Sequence, residues 1–404
     1  AFDAMVATEL ALAVSYPQAG NIGGGGFMVF RKANGETGAL DYREKAPLAA
    51  TKDMFLDANG NVIEGKSTAT ALASGIPGTI AGLFEVHQKY GSLPIGEILK
   101  PVIALAERGV RITEFQAKSL ATFKASFLKS NGPNSLFSKE YKVNDTIKYP
   151  ALAATLKRIA KNGRDEFYKG ETAQKLVAFL TKKGGNMTLE DLKKYNAKWR
   201  TPVTFQYKDL KVISMSPPSS GGICLNQIME MIEPYKLSEM GHNSQKAIQL
   251  ITEAERRAYA DRNYYLGDPD FVKLPMKELV DPAYLKNRMS DFTFDKASKS
   301  SDIAAGKIKG YESMETTHYS IVDAKGNAVS VTTTLNDNYG SKIYCDELGF
   351  FLNNQMDDFS AKAGAPNLYG LTGTEANSIA PEKRMLSSMS PTIVEKNGKL
   401  FMVV

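Results

Sequence analysis

Two hydrophobic periods run through the chain. From Thr316 onward, Thr317, Tyr319 and Ile321 fall on one side of an extended segment, and Thr316, His318 and Ser320 fall on the other. After Asp323-Ala-Lys-Gly-Asn327, the residues Val329, Val331, Thr333 and Leu335 share one side, and Ala328, Ser330, Thr332, Thr334 and Asn336 the opposite one. A period of two predicts strands, and the polar, glycine-bearing stretch between them predicts a hairpin turn. Gly326 stands where a three-residue loop needs a left-handed residue. With Ala324–Gly326 as the loop, Asp323 pairs with Asn327 and Thr316 comes opposite Thr334. A two-residue Lys325-Gly326 loop would shift that pairing by half a step.

Elsewhere the period lengthens. Ala247, Leu250, Ile251, Ala254 and Ala258 recur at helical spacing, and Ala151–Ala160, stopped by Gly163, reads as another helix. Helices are expected over much of 70–110, 150–190 and 244–265, and strands near 26–31, 37–43 and 316–335. Length alone allows two domains, but no Gly/Ser- or Pro-rich linker divides the 404 residues. Mixed element types in one undivided chain predict a layered α/β body.

Composition narrows the function. The net charge of +6 is mild, and the lysines, densest over 118–212, are interleaved with acids. They read as a solvated face, so no nucleic-acid partner is expected. No apolar run reaches the roughly eighteen residues of a membrane-spanning helix. His87, His242 and His318, with Cys224 and Cys345, lack metal-ligand spacing, so neither a metal nor another cofactor is expected, and reduced cysteines are the simpler reading. The run Asn21-Ile-Gly-Gly-Gly-Gly-Phe27 lacks the lysine of a phosphate loop and continues into a strand, so it predicts tight backbone packing. Pro217-Pro-Ser-Ser-Gly-Gly222 reads as a rigid turn.

A threonine at the head of a strand is ordinary until its amine is freed. Scission between Glu315 and Thr316 would leave one residue holding both a nucleophilic hydroxyl and an amine able to take its proton. Taken alone, the paired threonines are no more than good strand residues. The longer text changes that. Thr316-Thr-His-Tyr-Ser, Gly326-Asn-Ala-Val-Ser-Val-Thr332, Leu352-Asn-Asn-Gln-Met-Asp-Asp-Phe-Ser360 and Lys383-Arg-Met-Leu-Ser-Ser-Met-Ser-Pro391 closely resemble the γ-glutamyltransferase (glutathione hydrolase) family, in its bacterial form. Gly20-Asn-Ile-Gly-Gly-Gly-Gly-Phe-Met28, Leu40-Asp-Tyr-Arg-Glu44 and the Pro217–Gly222 turn agree with it in the same order.

The resemblance implies a four-layer αββα sandwich of the N-terminal-nucleophile hydrolase type. It implies self-cleavage before Thr316 into a large part, 1–315, and a small part, 316–404, paired as one intertwined domain. It also implies further family sequence before Ala1 and, after Val404, a glycine pair that serves the oxyanion. Among the residues, it makes Thr316 the nucleophile and Thr334 its hydrogen-bonding partner. Arg43, Ser387 and Ser388 would hold the α-carboxylate of a γ-glutamyl substrate, and Asn336, Gln355 and Asp358 its α-amine. Tyr369 would sit on a lid. The acceptor would be water, an amino acid or a peptide, and the site of action the periplasm or exterior. A cephalosporin (glutaryl) acylase or a poly-γ-glutamate processing enzyme of the same superfamily is the nearest alternative, and an uncleaved binding protein the alternative outside enzymes.

Overall fold

The structure, a computed structural model, describes residues 1–300, 302–304 and 316–404. Nine strands build its two main sheets: β1 (Gly25–Arg31), β2 (Thr37–Asp41), β3 (Lys198–Arg200), β4 (Val203–Tyr207), β5 (Leu210–Ser214), β6 (Thr316–Val322), β7 (Ala328–Thr334), β8 (Thr392–Lys396) and β9 (Lys399–Val403). One sheet runs β3-β2-β1-β7-β6 and the other β9-β8-β5-β4. Every pairing in both is antiparallel.

Alternation along the strands sorts their side chains into layers. Phe27, Val29, Ala39 and Ala328 meet Ile213, Met215, Met389 and Ile393 between the sheets. The opposite face of the first sheet, with Met28, Phe30, Leu40, Val329 and Val331, joins a core with the helices α1 (Phe2–Ser15), α2 (Thr79–Tyr90), α3 (Ile95–Arg108) and α4 (Pro150–Asn162). Outside the second sheet, Phe205, Val212 and Val394 pack with Leu225 and Met229 of α5 (Gly221–Ile232). That helix lies against α6 (Gln245–Tyr265), sharing the cluster of Cys224, Met231, Leu250, Ala254 and Ala258. The result is the expected helix–sheet–sheet–helix stack.

The hairpin has the three-residue loop. Gly326 adopts φ +86°, the Asp323 N–H donates to the Asn327 carbonyl at 2.9 Å, and Thr316 pairs with Thr334. The helix ending at Gly163, with φ +72°, and the long helix over 245–265 also follow the pattern. The second sheet, by contrast, was not anticipated from periodicity. Both cysteines are buried thiols in separate clusters. No helix among the described residues is long and apolar enough to cross a membrane.

Behind the hairpin, α1 points one acid into this core. Glu9, almost fully buried, accepts hydrogen bonds at Oε2 from Tyr319 (2.6 Å) and Tyr42 (3.1 Å), while Oε1 has no partner. Burial outweighs these bonds and raises its pKa to about 7. In the unfolded chain the same carboxyl loses its proton near 4.5. Between these values the unfolded chain sheds a proton that the folded one keeps, so stability falls as pH rises across that window and levels off above it. Glu9→Gln should remove this loss, gaining up to about 3 kcal/mol on wild type between pH 5 and pH 8. Denaturant midpoints that move in parallel for the two proteins would contradict this.

Candidate functional site

Three strands meet where the nucleophile is expected. Gly25 of β1 pairs with Thr334 of β7, which pairs on its other side with Thr316 of β6. The glycine run makes this approach possible. A Cβ on Gly24 would lie 2.1 Å from the Thr334 carbonyl oxygen, and one on Gly26 would lie 2.4 Å from that of Thr332. Close backbone packing, as expected, is the function of these glycines. Thr334 Oγ1 accepts from the Asn336 N–H at 2.9 Å as the chain leaves the strand with Asn336 at φ +79°. His318 shares the sheet face, but its ring nitrogens contact Thr332 Oγ1 (2.8 Å) and Ser320 Oγ (3.2 Å), and burial lowers its pKa. Glu315 lies outside the described residues.

The loop after β2 carries Arg43, which is 1% exposed. Its Nη2 donates to Asp358 Oδ2 and to the Leu386 carbonyl, and its Nε donates to the Met385 carbonyl. The remaining nitrogen, Nη1, lies 3.8 Å from Glu44 Oε2 and has no hydrogen-bond partner. Glu44 is fully buried with neither oxygen bonded, and desolvation lifts its pKa to about 8, against the pull of the Arg43 guanidinium. Burial also raises the Asp358 carboxyl, against the pull of the Arg43 guanidinium. Below Arg43, Asp41 Oδ1 accepts the Arg43 N–H (3.0 Å) and Oδ2 accepts from Arg200, which fixes the loop to β2 and β3.

The two expected amides are oriented alike. Gln355 Nε2 donates to Asp358 (3.1 Å), leaving a buried Oε1 without a partner. Asn336 Nδ2 likewise donates, to the Asn354 carbonyl (3.1 Å). Asn353 ties the 3₁₀ turn Gln355–Asp358 to the glycine run, donating to the Gly23 carbonyl (2.8 Å) and accepting the Gln355 N–H (3.0 Å). Tyr369 reaches across and donates to the Asn336 carbonyl at 2.5 Å, which places its loop over the end of β7.

The serine pair is braced from the side. Ser387 Oγ accepts from the Met389 N–H (3.2 Å), and Ser388 Oγ accepts from Arg262 Nη2 (2.9 Å). The Pro217–Gly222 turn holds the same loop. Ser219 Oγ donates to the Met389 carbonyl, Ser220 donates to the Ser387 carbonyl through both N–H and Oγ, and a Cβ on Gly221 would strike Ser390. The structure therefore joins Arg43 and Gln355 through direct contacts to Asp358, while Asn336 is tied to Asn354, the residue before Gln355, and to Thr334. Arg262 was not expected. Its signal was the apolar stripe of α6, because four residues beyond Ala258 the same face reaches position 262. No group of three or more metal-ligating side chains occurs among the described residues.

A four-layer αββα sandwich of this topology defines the class of N-terminal-nucleophile hydrolases. The γ-glutamyltranspeptidase family profile matches residues 1–404, and the chain belongs to that family. The "Glutathione hydrolase proenzyme" of Escherichia coli (strain K12) is 49% identical over 407 residues, spanning all of this chain and 70% of its own. The crystal structure of Helicobacter pylori γ-glutamyltranspeptidase superposes with a TM-score of 0.73 at 46% identity, covering 75% of this chain and 88% of that one. Cephalosporin acylase from Bacillus halodurans gives a TM-score of 0.82 over the whole chain and 72% of its own, at 22% identity, a likeness of fold alone.

Asp358→Ala would leave the Arg43 guanidinium buried without its counter-charge. The variant should lose about 3–5 kcal/mol of stability, read as a lowered denaturation midpoint. An unchanged midpoint would show that the pair contributes nothing to the fold.

Proposed function

We propose that the protein hydrolyses and transfers the γ-glutamyl group of glutathione and related γ-glutamyl compounds, through an ester on Thr316 formed after the chain cuts itself between Glu315 and Thr316. The observation that carries this reading is the set of unmatched polar atoms around the Arg43–Asp358 pair. Arg43 Nη1 is a buried donor without an acceptor, and Gln355 Oε1 is a buried acceptor without a donor. A free α-carboxylate beside a free α-ammonium supplies both. A zwitterion carries no net charge, so it can meet both unmatched atoms without adding charge to the buried Arg43–Asp358 pair. A glutaryl chain has no ammonium for Asp358, Gln355 and Asn336. The relative's name, a glutathione hydrolase proenzyme, supports both substrate and self-cleavage.

The chemistry is a two-step acyl transfer. Thr316 Oγ attacks the γ-amide carbonyl while the Thr316 α-amine, with an ordinary pKa near ~8, takes the hydroxyl proton. That proton passes to the leaving amine, and a γ-glutamyl ester remains on Thr316. Water then releases glutamate, or an amino-acid or peptide amine forms a new γ-glutamyl compound. Thr334 steadies the nucleophile, Arg43 with Ser387 and Ser388 holds the carboxylate, and the Tyr369 loop covers the bound head group. The reading includes a large part, 1–315, paired with a small part, 316–404, and a periplasmic or extracellular location inferred from the family resemblance.

The purified protein should resolve into two bands on a denaturing gel after incubation, whereas Thr316→Ala should stay as one band and turn over no substrate. One intact band from the parent protein would exclude catalysis at Thr316. γ-Glutamyl anilide should be hydrolysed and glutaryl anilide hardly at all; equal or faster glutaryl turnover would point to an acylase. Arg43→Lys keeps the charge but loses the fork, so it should raise KM by roughly tenfold or more; an unaltered KM would remove Arg43 from substrate capture.

A further inference from the structure

We propose that Arg262 is a positioning residue for the substrate α-carboxylate, fixing which way the Ser388 hydroxyl points and holding the Ser387 backbone in place. The inference rests on the γ-glutamyl reading above. Arg262 sits on α6 and is 4% exposed. Each of its nitrogens has a hydrogen-bond partner, and each partner is neutral: Nε to Ser220 Oγ (3.0 Å), Nη1 to Asn263 Oδ1 (2.9 Å) and Nη2 to Ser388 Oγ (2.9 Å). A buried cation held only by neutral groups lacks a direct counter-charge, and an arriving carboxylate provides one.

The direction of the bonds gives the role. A serine hydroxyl has one proton to donate, and guanidinium N–H groups can only donate. Arg262 therefore occupies the oxygen of Ser388 and obliges its proton to point at another acceptor. At Ser220 the same logic continues, because that oxygen accepts from Arg262 and its proton goes to the Ser387 carbonyl at 3.0 Å. One fork thus sets the polarity of Ser388 and anchors the backbone of Ser387. Arg43 holds the carbonyls of Met385 and Leu386, so two guanidinium groups grip one short loop. Arg262, Leu386 and Asp358 also line a common pocket with Asn367 and Asn377, and the Asp358 carboxyl feels the Arg262 charge. Lysine could not do this, since one ammonium on a flexible stem does not address Ser220 and Ser388 in fixed geometry.

The test compares γ-glutamyl-p-nitroanilide with its α-carboxamide counterpart on the mature enzyme. Wild type should prefer the free acid. Arg262→Met should lower kcat/KM for the acid by roughly tenfold or more, chiefly through KM, and for the carboxamide by no more than about twofold. Arg262→Lys should fall between, and should carry the comparison if the methionine variant fails to mature. In a Ser388→Ala background the Arg262 effect should shrink to less than about threefold, because the hydroxyl that it orients is gone and only its hold on Ser220 remains. Equal losses on both substrates, or a full Arg262 effect without the Ser388 hydroxyl, would reduce Arg262 to a packing residue. A wild type that does not distinguish acid from amide would instead overturn the α-carboxylate reading itself.

Discussion

The Arg43–Asp358 ion pair is the constraint on which the site depends. Two opposite charges taken out of water are tolerated only when their geometry is good and their remaining hydrogen-bonding groups are satisfied. Here the satisfaction is incomplete in a specific way. Carbonyls of the 385–386 segment, the Gln355 amide and the Asp41 anchor beneath fix the pair in place. One guanidinium nitrogen is left unmatched, because Glu44 Oε2 stays 3.8 Å away, beyond hydrogen-bond reach. A fold that holds such a residue so rigidly while leaving part of it unbonded is pre-organised for a ligand rather than for its own stability.

Around that pair, backbone rather than side chain does much of the positioning. β1 approaches β7 through glycines whose missing Cβ atoms would collide with main-chain oxygens. The close approach puts the turn bearing Gln355 and Asp358, tied to Gly23 through Asn353, at the end of the strand bearing Thr334. Turns supply the charged and amide groups, and sheets supply the hydroxyls. The Tyr369 loop then adds a contact to the Asn336 backbone.

Much of this was legible in the sequence, for reasons that can be named. The hairpin register followed from Gly326 and strict alternation, since a half-buried strand tolerates no slip. The long helix followed from its stripe of Ala247, Leu250, Ala254 and Ala258. The second sheet was harder, because β4 and β5 are short and carry lysines at their shared turn, where outward-facing polar residues blur the pattern. Arg262 was hidden differently. Glu255-Arg-Arg-Ala-Tyr-Ala-Asp-Arg262 has the composition of a solvated face, yet Arg257, Asp261 and Arg262 are buried by neighbouring elements. Composition reports average exposure, while position within the stripe reports the side. The pairing of Arg43 with Asp358, 315 positions apart, had no local signal at all.

The interleaving of strands has a consequence for how the molecule persists. Each main sheet draws on segments from both before and after residue 315, with β7 between β1 and β6, and β8 beside β5. A break in the backbone just ahead of β6 would free neither fragment, because each contributes to the same apolar interior. Reassembly after full denaturation would nevertheless become a two-body event that depends on concentration. Such a nicked protein endures through slow opening rather than easy refolding, and its lifetime is governed by a barrier more than by an equilibrium.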